Sequence, residues 1–287
     1  MKSIKNIIQE QNLGKLNIKN SSEGTEQDFR GGQGSRAGQV SSSGQNTLEK
    51  TSTFKCPLCE DRGIILQGDV AHQCKCMHQK RLENMFRHAR MARGLQNCRF
   101  ENFKKEYYYG QDKSYLESAL KALQAAQEFV KSCLENPYGL GLMLTGPVGV
   151  GKTFLAASIA NALMEQEKQV LFLVVPDLLD QLRATYKTDE NELDLLDNAR
   201  EIPILILDDL GVHNYTDWTR NRIYSIINYR LNEQLPTVIT TNLSLEEMEE
   251  HLGLRTTSRL IQACRIFRMD VERDIRQQRY QERERKH

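Results

Sequence analysis

The hydrophobic and polar positions along the chain predict two regions of different character. Residues 20–53 are rich in Ser, Gly, Gln and Asn and poor in apolar residues, so they are predicted to form a flexible linker. From about residue 115 onward, apolar runs alternate with amphipathic stretches. Strands are predicted at 141–144, 170–175, 202–208, 237–241 and 265–269. This alternation is typical of an α/β fold in which helices cover both faces of a parallel sheet.

Apolar residues at helical spacing predict further helices on both sides of the linker. They occur within residues 1–19, in a basic stretch around Leu82 and Met85, and between 115 and 134. The chain is therefore predicted to contain a short helical segment at 1–19, the linker at 20–53, a small module at 54–95, a large domain at 97–279 and a charged tail at 280–287.

Composition limits the classes of partner. The chain has 287 residues, and 39 Lys and Arg against 38 Asp and Glu leave a formal net charge of +1. Any nucleic acid would therefore be bound by local patches rather than by a global basic field. The sequence has no run of 18 apolar residues and no signal-peptide core, so we expect a cytoplasmic protein with no membrane partner. The odd number of cysteines, seven, favours metal ligation over disulfides.

A phosphate-binding loop follows the first predicted strand of the large domain. Its eight residues match the pattern G-x-x-x-x-G-K-[ST]: Gly146, Pro147, Val148, Gly149, Val150, Gly151, Lys152 and Thr153. The glycines let successive backbone N–H groups face a phosphate, and the helix that follows adds partial positive charge. Lys152 would reach the β- and γ-phosphates, and the Thr153 hydroxyl would ligate Mg²⁺. The pattern predicts nucleotide binding; the alternative is a glycine-rich turn.

Two later strands end in polar residues that would complete an ATPase site. The run at 202–208 leads into Asp208 and Asp209, at the sheet edge where ligands of open α/β folds bind. Asp208 would hold Mg²⁺, and Asp209 would orient and deprotonate the attacking water. Asn242 follows the next apolar run and would offer its amide to the γ-phosphate or to that water. The alternatives are a helix-capping turn for the two acids and a helix N-cap or turn position for Asn242.

Two arginines, Arg255 and Arg259, follow this strand and a short helix. One of them, with Arg259 favoured, would reach the γ-phosphate bound by a neighbouring subunit and stabilise the charge of the transition state. The alternative is an exposed arginine pair on a solvated helix face.

Four cysteines in the module at 54–95 predict a zinc site. Cys56 and Cys59 have the spacing of a zinc knuckle, and the tighter pair Cys74 and Cys76 follows after fourteen residues. Four thiolates can close a tetrahedral structural Zn²⁺ site, whose binding would supply folding free energy to so small a segment. The alternatives are a histidine ligand in place of one thiolate (His72 or His78), an iron–sulfur cluster and free thiols. The remaining cysteines are predicted to be buried packing residues: Cys98, Cys133 and Cys264.

The order of these motifs resembles that of the AAA+ family, and more narrowly that of the DnaC/DnaI-type helicase loaders and their IstB-like relatives. The matching segments are Phe100-Glu101-Asn102-Phe103, the phosphate loop, Leu207-Asp208-Asp209-Leu210-Gly211, Trp218, Ile226-Ile227-Asn228-Tyr229-Arg230, Thr240-Thr241-Asn242-Leu243 and Ser258-Arg259-Leu260. The resemblance implies an AAA+ sheet in which the Asn242 strand lies between the phosphate-loop strand and the Asp208 strand. It also implies a short tail in place of a C-terminal helical lid, with Arg276 in place of the sensor arginine of that lid.

The function implied by the resemblance is ATP-dependent helicase loading during replication initiation. Such a protein would bind the replicative hexameric helicase and single-stranded DNA, and would self-assemble into an ATP-dependent oligomer. The resemblance also implies helicase docking through the module at 54–95. Because the second acid, Asp209, is shorter than the Glu of many AAA+ proteins, slow hydrolysis stimulated by partners is expected.

The resemblance also implies contacts with single-stranded DNA from the helical segment after the second strand of the large domain. Arg183 and Lys187 would meet phosphates and Tyr186 would stack on a base; an ordinary amphipathic helix is the alternative. The Arg-rich tail at 265–286 is interpreted as a solvated helix face because Glu residues are interleaved with its arginines. Two other functions remain open: an IstB-like helper that delivers a transposase to target DNA, and a non-catalytic, ATP-sensing adaptor that docks proteins through zinc.

Overall fold

The computed structural model describes residues 54–67, 70–184, 189–211 and 215–285. The predicted segments 1–19 and 20–53, together with Tyr186 and Lys187, lie outside the described residues. Among the helices within the described ranges, none is both long and apolar enough to cross a membrane.

A hairpin and a helix precede the large domain. Strands β1 (Ile64–Gln67) and β2 (Val70–Gln73) pair antiparallel, and helix α1 (Lys75–His88) follows. The carbonyl of Ala89, just after α1, accepts a hydrogen bond of 2.8 Å from the backbone N–H of Phe172 in the large domain. The chain after α1 is therefore joined to the large domain by a backbone hydrogen bond.

Five parallel strands form the sheet of the large domain. They are β3 (Gly141–Thr145), β4 (Val170–Val174), β5 (Ile204–Leu210), β6 (Thr237–Thr241) and β7 (Cys264–Arg268). Their order across the sheet is β4-β5-β6-β3-β7. The predicted parallel sheet is confirmed, and β6 lies between the phosphate-loop strand β3 and the Asp208 strand β5, as the resemblance implied.

Helices bury both faces of this sheet, as predicted. They are α2 (Ser114–Glu135), α3 (Lys152–Glu165), α4 (Val175–Ala184), α5 (Asp189–Glu201), α6 (Asp217–Asn232), α7 (Leu245–Leu252), α8 (Leu254–Ala263) and α9 (Ile275–Glu284). Leu142 and Leu144 of β3 join one apolar core with α2 and α3. Met143, between them, joins a second core with α4 to α8 on the other face, because successive strand residues point to opposite sides.

Several predicted strand boundaries were wrong by a few residues. β4 ends at Val174 because Val175 is the first residue of α4. β5 begins at Ile204 and continues past Asp208 to Leu210, with a register shift against β6. The two acids therefore lie within β5 rather than after its last residue. The predicted boundary between domain and tail at residue 279 falls inside α9.

Arg230, a side chain to which the sequence analysis gave no role, stabilises the end of the sheet at which β5 and β6 begin. It is 1% exposed, and its guanidinium donates hydrogen bonds to Thr237 Oγ1 and to the carbonyls of Ala199, Arg200, Ile202, Pro203 and Pro236. Burial lowers the pKa of Arg230 to about 9. These bonds join the chain entering β5 to the chain entering β6, and so help to set the relative position of the strands that carry Asp208 and Asn242.

Candidate nucleotide site and thiol cluster

The phosphate loop has the backbone conformation that its glycines predict. It runs from the end of β3 to Lys152, the first residue of α3. Gly146 and Gly149 have φ angles of 132° and 77°, in the region that favours glycine. A side chain at Gly146 would overlap the carbonyl of Met269, and one at Gly149 would overlap the carboxylate of Asp274. The loop therefore needs glycine at both positions, for conformation and for space.

Lys152 lies in the centre of the site and is 5% exposed. Its Nζ donates hydrogen bonds of 2.8 Å to the carbonyls of Gly146 and Pro147, and of 2.6 Å to Asn242 Oδ1. Burial lowers the pKa of Lys152 to about 8, against the opposing effect of the two aspartates. The structure thus brings Lys152 and Asn242 together, because β3 and β6 are neighbours in the sheet.

Asp208 and Asp209 have different surroundings although they are adjacent in the chain. Asp208 is 3% exposed, and burial raises the pKa of its carboxyl group while hydrogen bonds from Thr240 and Thr153 oppose that shift. Asp209 has a φ of 58° and lines the cavity beside Lys152. The capping alternatives were wrong: Thr216 caps α6 and Ser244 caps α7, so neither the acids nor Asn242 fill those positions.

Thr240 joins the two acids and was missed as a site residue by the sequence analysis. Its Oγ1 donates a 2.6 Å hydrogen bond to Asp208 Oδ1 and accepts one of 2.9 Å from the Asp209 backbone N–H. Its position two residues before Asn242, on the strand next to β5, was the available signal. The Thr240 hydroxyl therefore orients the Asp208 carboxylate directly, and it positions Asp209 through the backbone N–H of that residue.

We predict that Thr240→Val lowers the free energy of unfolding by about 1–3 kcal/mol, because valine leaves a buried carboxylate and a backbone N–H without their partner. Denaturant titration measures this loss. Thr241→Val is the matched control: Thr241 is also buried, but among the described residues its hydroxyl accepts a hydrogen bond from the Leu243 N–H, at 3.1 Å, and bonds to neither acid. Equal destabilisation of both variants would contradict the bridging role of Thr240.

A cavity of about 940 Å³ extends from the phosphate loop. The segment before α2 lines it with Leu95, Asn97, Cys98, Glu101, Asn102, Phe103, Lys104, Tyr107 and Tyr108. Asn161, buried in α3, holds this segment by donating through Nδ2 to the carbonyls of Leu95 (2.9 Å) and Cys98 (2.7 Å). Tyr108 donates through its hydroxyl to the Val150 carbonyl at 2.7 Å. The cavity has room for a nucleoside beside the phosphate loop.

The comparisons with known proteins agree with this geometry. A family model described as IstB-like ATP binding protein matches residues 66–283. The chain belongs to the IstB-like ATP-binding family. Its large domain is an AAA+ ATPase domain, as the resemblance implied.

Named relatives of this IstB-like protein are helicase loaders. The replicative helicase loader DnaI of Bacillus subtilis is 36% identical over 135 residues, 47% of this chain and 43% of that protein. The replicative helicase loader DnaC of Escherichia coli is 27% identical over 202 residues, 70% of this chain and 77% of that protein. The crystal structure of the DnaC helicase loader has a TM-score of 0.53 and 28% identity, covering 62% of this chain and all of that one. The sequence similarity to DnaI spans 43% of that protein, which is less than half of its length.

The C-terminal helix of the IstB-like domain lies against the nucleotide cavity. The backbone N–H of Ile275 donates to the Gly149 carbonyl at 3.0 Å, and both Arg276 and Arg279 line the cavity. Both side chains are exposed, as the interpretation of the tail as a solvated face predicted, and they also border this cavity. Cys98 also lines the cavity and is only partly buried, whereas Cys133 and Cys264 are buried as predicted.

The other predicted arginines of the IstB-like domain lie apart from its phosphate loop. Arg259, on α8, donates to Gln262 Oε1 at 3.2 Å and lines a separate cavity of about 400 Å³ together with Leu140 and Leu235. Arg255 is exposed on the same helix. Arg183 is exposed on α4 and lies 3.2 Å from Asp180 Oδ1. The structure brings neither Arg255 nor Arg259 to the nucleotide site of its own chain.

The four module cysteines converge. Sγ–Sγ distances are 3.7 Å from Cys56 to Cys74 and 3.4 Å from Cys59 to Cys76, and all four sulfurs lie within 4.8 Å of one another. A tetrahedral zinc at about 2.3 Å from each thiolate separates the sulfurs by about 3.8 Å, so the cluster fits this ion. His72 is exposed on β2 and lies outside the cluster, and the side chain of His78 is not among the described ones.

Backbone N–H groups donate to Cys56 and Cys59, whereas a hydrogen bond with Cys59 and burial raise the pKa of Cys76 to about 12. The backbone N–H of Cys59 is the main cause that lowers the pKa of the Cys56 thiol to about 7, and the N–H of Leu58 adds to it. The N–H of Gly63 donates to Cys59 Sγ at 3.3 Å. Such bonds stabilise negative charge on sulfur, the form that binds a metal ion.

Proposed function

We propose that this protein is an ATP-dependent AAA+ helicase loader that binds the replicative hexameric helicase and single-stranded DNA and places the helicase on DNA during replication initiation. The observation that carries this proposal is the convergence of Lys152, Asp208, Asp209 and Asn242 at one sheet edge, in a chain whose named relatives are replicative helicase loaders.

Within the site, we assign each residue one role. Lys152 and the loop backbone bind the phosphates of ATP, and Thr153 and Asp208 hold Mg²⁺. Asp209 positions and deprotonates the attacking water, and Asn242 orients that water or the γ-phosphate. Hydrolysis is slow and is stimulated by the partners, because the Asp209 side chain is a methylene shorter than the Glu of many AAA+ proteins.

Self-assembly completes this site. Arg259 lies away from the phosphate loop of its own chain, so we assign it to the nucleotide of a neighbouring subunit in an ATP-dependent oligomer. For single-stranded DNA we assign Arg183, on the exposed side of α4, together with Tyr186 and Lys187 that follow it.

The module at 54–95 holds Zn²⁺ through its four cysteines and docks the helicase. Phe54, Leu58, Ile64 and Val70 are exposed apolar residues of this module. Their exposure supports a docking surface, because a monomeric protein seldom leaves several large apolar side chains of one small segment in water.

The proposal is tested by native mass spectrometry of the protein mixed with the replicative helicase of its host, in ATP and in ADP. A defined complex with the wild-type protein, lost in Cys74→Ser and retained in Cys133→Ser, is the expected result. Cys133 is buried in α2 and serves as the control for loss of a thiol. The absence of a complex in both nucleotides, with zinc still bound, would contradict the loader function.

A second candidate function is the transposition helper that the resemblance to IstB-like proteins left open, and the match to the IstB-like ATP-binding family keeps it a candidate. A helper would form a nucleotide-dependent complex with a transposase instead of the helicase, so the same measurement with that partner separates the two. A non-catalytic, ATP-sensing adaptor would bind ATP without turnover, so a measured DNA-stimulated hydrolysis would exclude this function.

A further inference from the structure

Two arginines of α9, Arg276 and Arg279, line the nucleotide cavity. Both side chains are exposed. Among the described residues, neither guanidinium has a hydrogen-bond or ion-pair partner; the bond of Arg276 to Asp274 uses its backbone N–H. A spacing of three residues places both on one helix face, about 4.5 Å apart along the axis. They are available to a ligand in the cavity.

Contacts along α9 determine whether Arg276 or Arg279 lies nearer to the phosphate loop. At its start, the Ile275 N–H donates to the phosphate-loop carbonyl of Gly149 at 3.0 Å. Further along, Gln278 Nε2 donates to the Tyr107 carbonyl at 3.3 Å, and the Tyr107 hydroxyl donates to Glu282 Oε2 at 2.9 Å. The helix therefore runs from the phosphate loop towards the aromatic segment before α2.

The charges near Lys152 and Cys98 also place Arg276 closer to the phosphate loop than Arg279. Burial is the main cause that lowers the pKa of Lys152, and the nearby charge of Arg276 adds to it. Burial raises the pKa of Cys98, and the charges of Arg99 and Arg279 oppose it. Arg276 thus lies at the phosphate end of the cavity. Arg279 lies at the end lined by Cys98, which is left for the nucleoside once the phosphates occupy the loop.

We propose that Arg279 binds the nucleoside part of ATP, with its guanidinium packed against the purine base and donating to base or ribose acceptors. A planar guanidinium suits this contact because it stacks on aromatic faces and offers its donors in a fixed fork. The assignment rests on the proposed ATPase function and adds a residue for nucleoside recognition. Arg276, one turn earlier, contacts the phosphates instead.

The test compares the affinities of three ligands in competition against a fluorescent ADP analogue: ATP, ADP and inorganic tripolyphosphate. Arg279→Ala is expected to weaken ATP and ADP equally, by about tenfold, and to leave tripolyphosphate unchanged. Arg279→Lys keeps the charge but not the planar fork, and is expected to stay weakened for both nucleotides. Arg283→Ala is the control, because Arg283 is an exposed arginine on the same helix outside the cavity lining.

Three results would overturn the assignment. Unchanged ADP affinity in Arg279→Ala would show that the side chain does not bind the ligand. An equal loss of tripolyphosphate affinity would place Arg279 on the phosphates. A wild-type protein that binds neither ATP nor ADP would overturn this assignment together with the proposed ATPase function. If the wild-type protein binds both nucleotides, a negative result with Arg279→Ala overturns only the assignment of Arg279.

Discussion

Replacing Asp209 with Asn is expected to lower the rate of ATP hydrolysis by about 10²–10⁴-fold, the usual contribution of a general base, while ATP affinity changes little. Asp209 lines the cavity beside Lys152, where its carboxylate can reach a water at the γ-phosphate. Asp208 is less suited to this role because it is buried and accepts a hydrogen bond from Thr240. The measurement is single-turnover hydrolysis at saturating ATP, with and without DNA.

Asparagine is the appropriate replacement because of the backbone at this position. Asp209 has a φ of 58°, which Asp and Asn tolerate better than most residues. Its N–H bond to Thr240 Oγ1 does not depend on the side chain, so Asp209→Asn removes the base without disturbing the strand. Asp208→Asn is the comparison, and is expected to lose Mg²⁺-dependent ATP affinity. If the hydrolysis rate of Asp209→Asn were within a few fold of the wild-type rate, the general base would have to be another residue.

The sequence predicted the elements whose residues are apolar because they are buried in the core. Apolar runs such as 141–144 are buried on both faces of the sheet, so their pattern indicates a strand wherever the chain places it. The phosphate loop was predictable for a similar reason, since its glycines and Lys152 act within eight consecutive residues. Convergence of the four module cysteines also followed from spacing alone.

Side chains whose role depends on contacts between distant segments were not predictable in this way. Thr240 matters because β6 lies beside β5, which places its hydroxyl between Asp208 and Asp209. Arg279 belongs to a segment whose Arg and Glu composition is typical of a solvated helix, and it faces the cavity because Ile275 is bonded to the phosphate loop. Arg230 likewise binds carbonyls up to 31 residues away in the chain. Periodicity reports burial, but it carries no information about these pairings.

Removal of the metal is expected to unfold the cysteine module while leaving the AAA+ domain folded. Within residues 54–77 of the module, the buried core consists of Cys56, Cys59 and Cys74, with Ile65 and Cys76 packed against it. A two-stranded hairpin of this size is marginal in water, whereas a structural zinc site contributes an apparent binding free energy of about 10–16 kcal/mol. We therefore expect a bound metal to supply most of the stability of residues 54–77.

Metal analysis of the purified protein is expected to find about one zinc per chain, the stoichiometry of a four-cysteine site. Cys74→Ser should lose this zinc and become sensitive to proteolysis within 54–77, because Cys74 is the most buried ligand, at 2% exposure. Cys133→Ser should keep both the zinc and the protease resistance, since Cys133 is in α2. Iron in place of zinc would assign the cluster to the iron–sulfur alternative. A metal-free wild-type protein with an equally resistant module would show that the hairpin folds without an ion, because the four sulfurs would then be held by the chain itself.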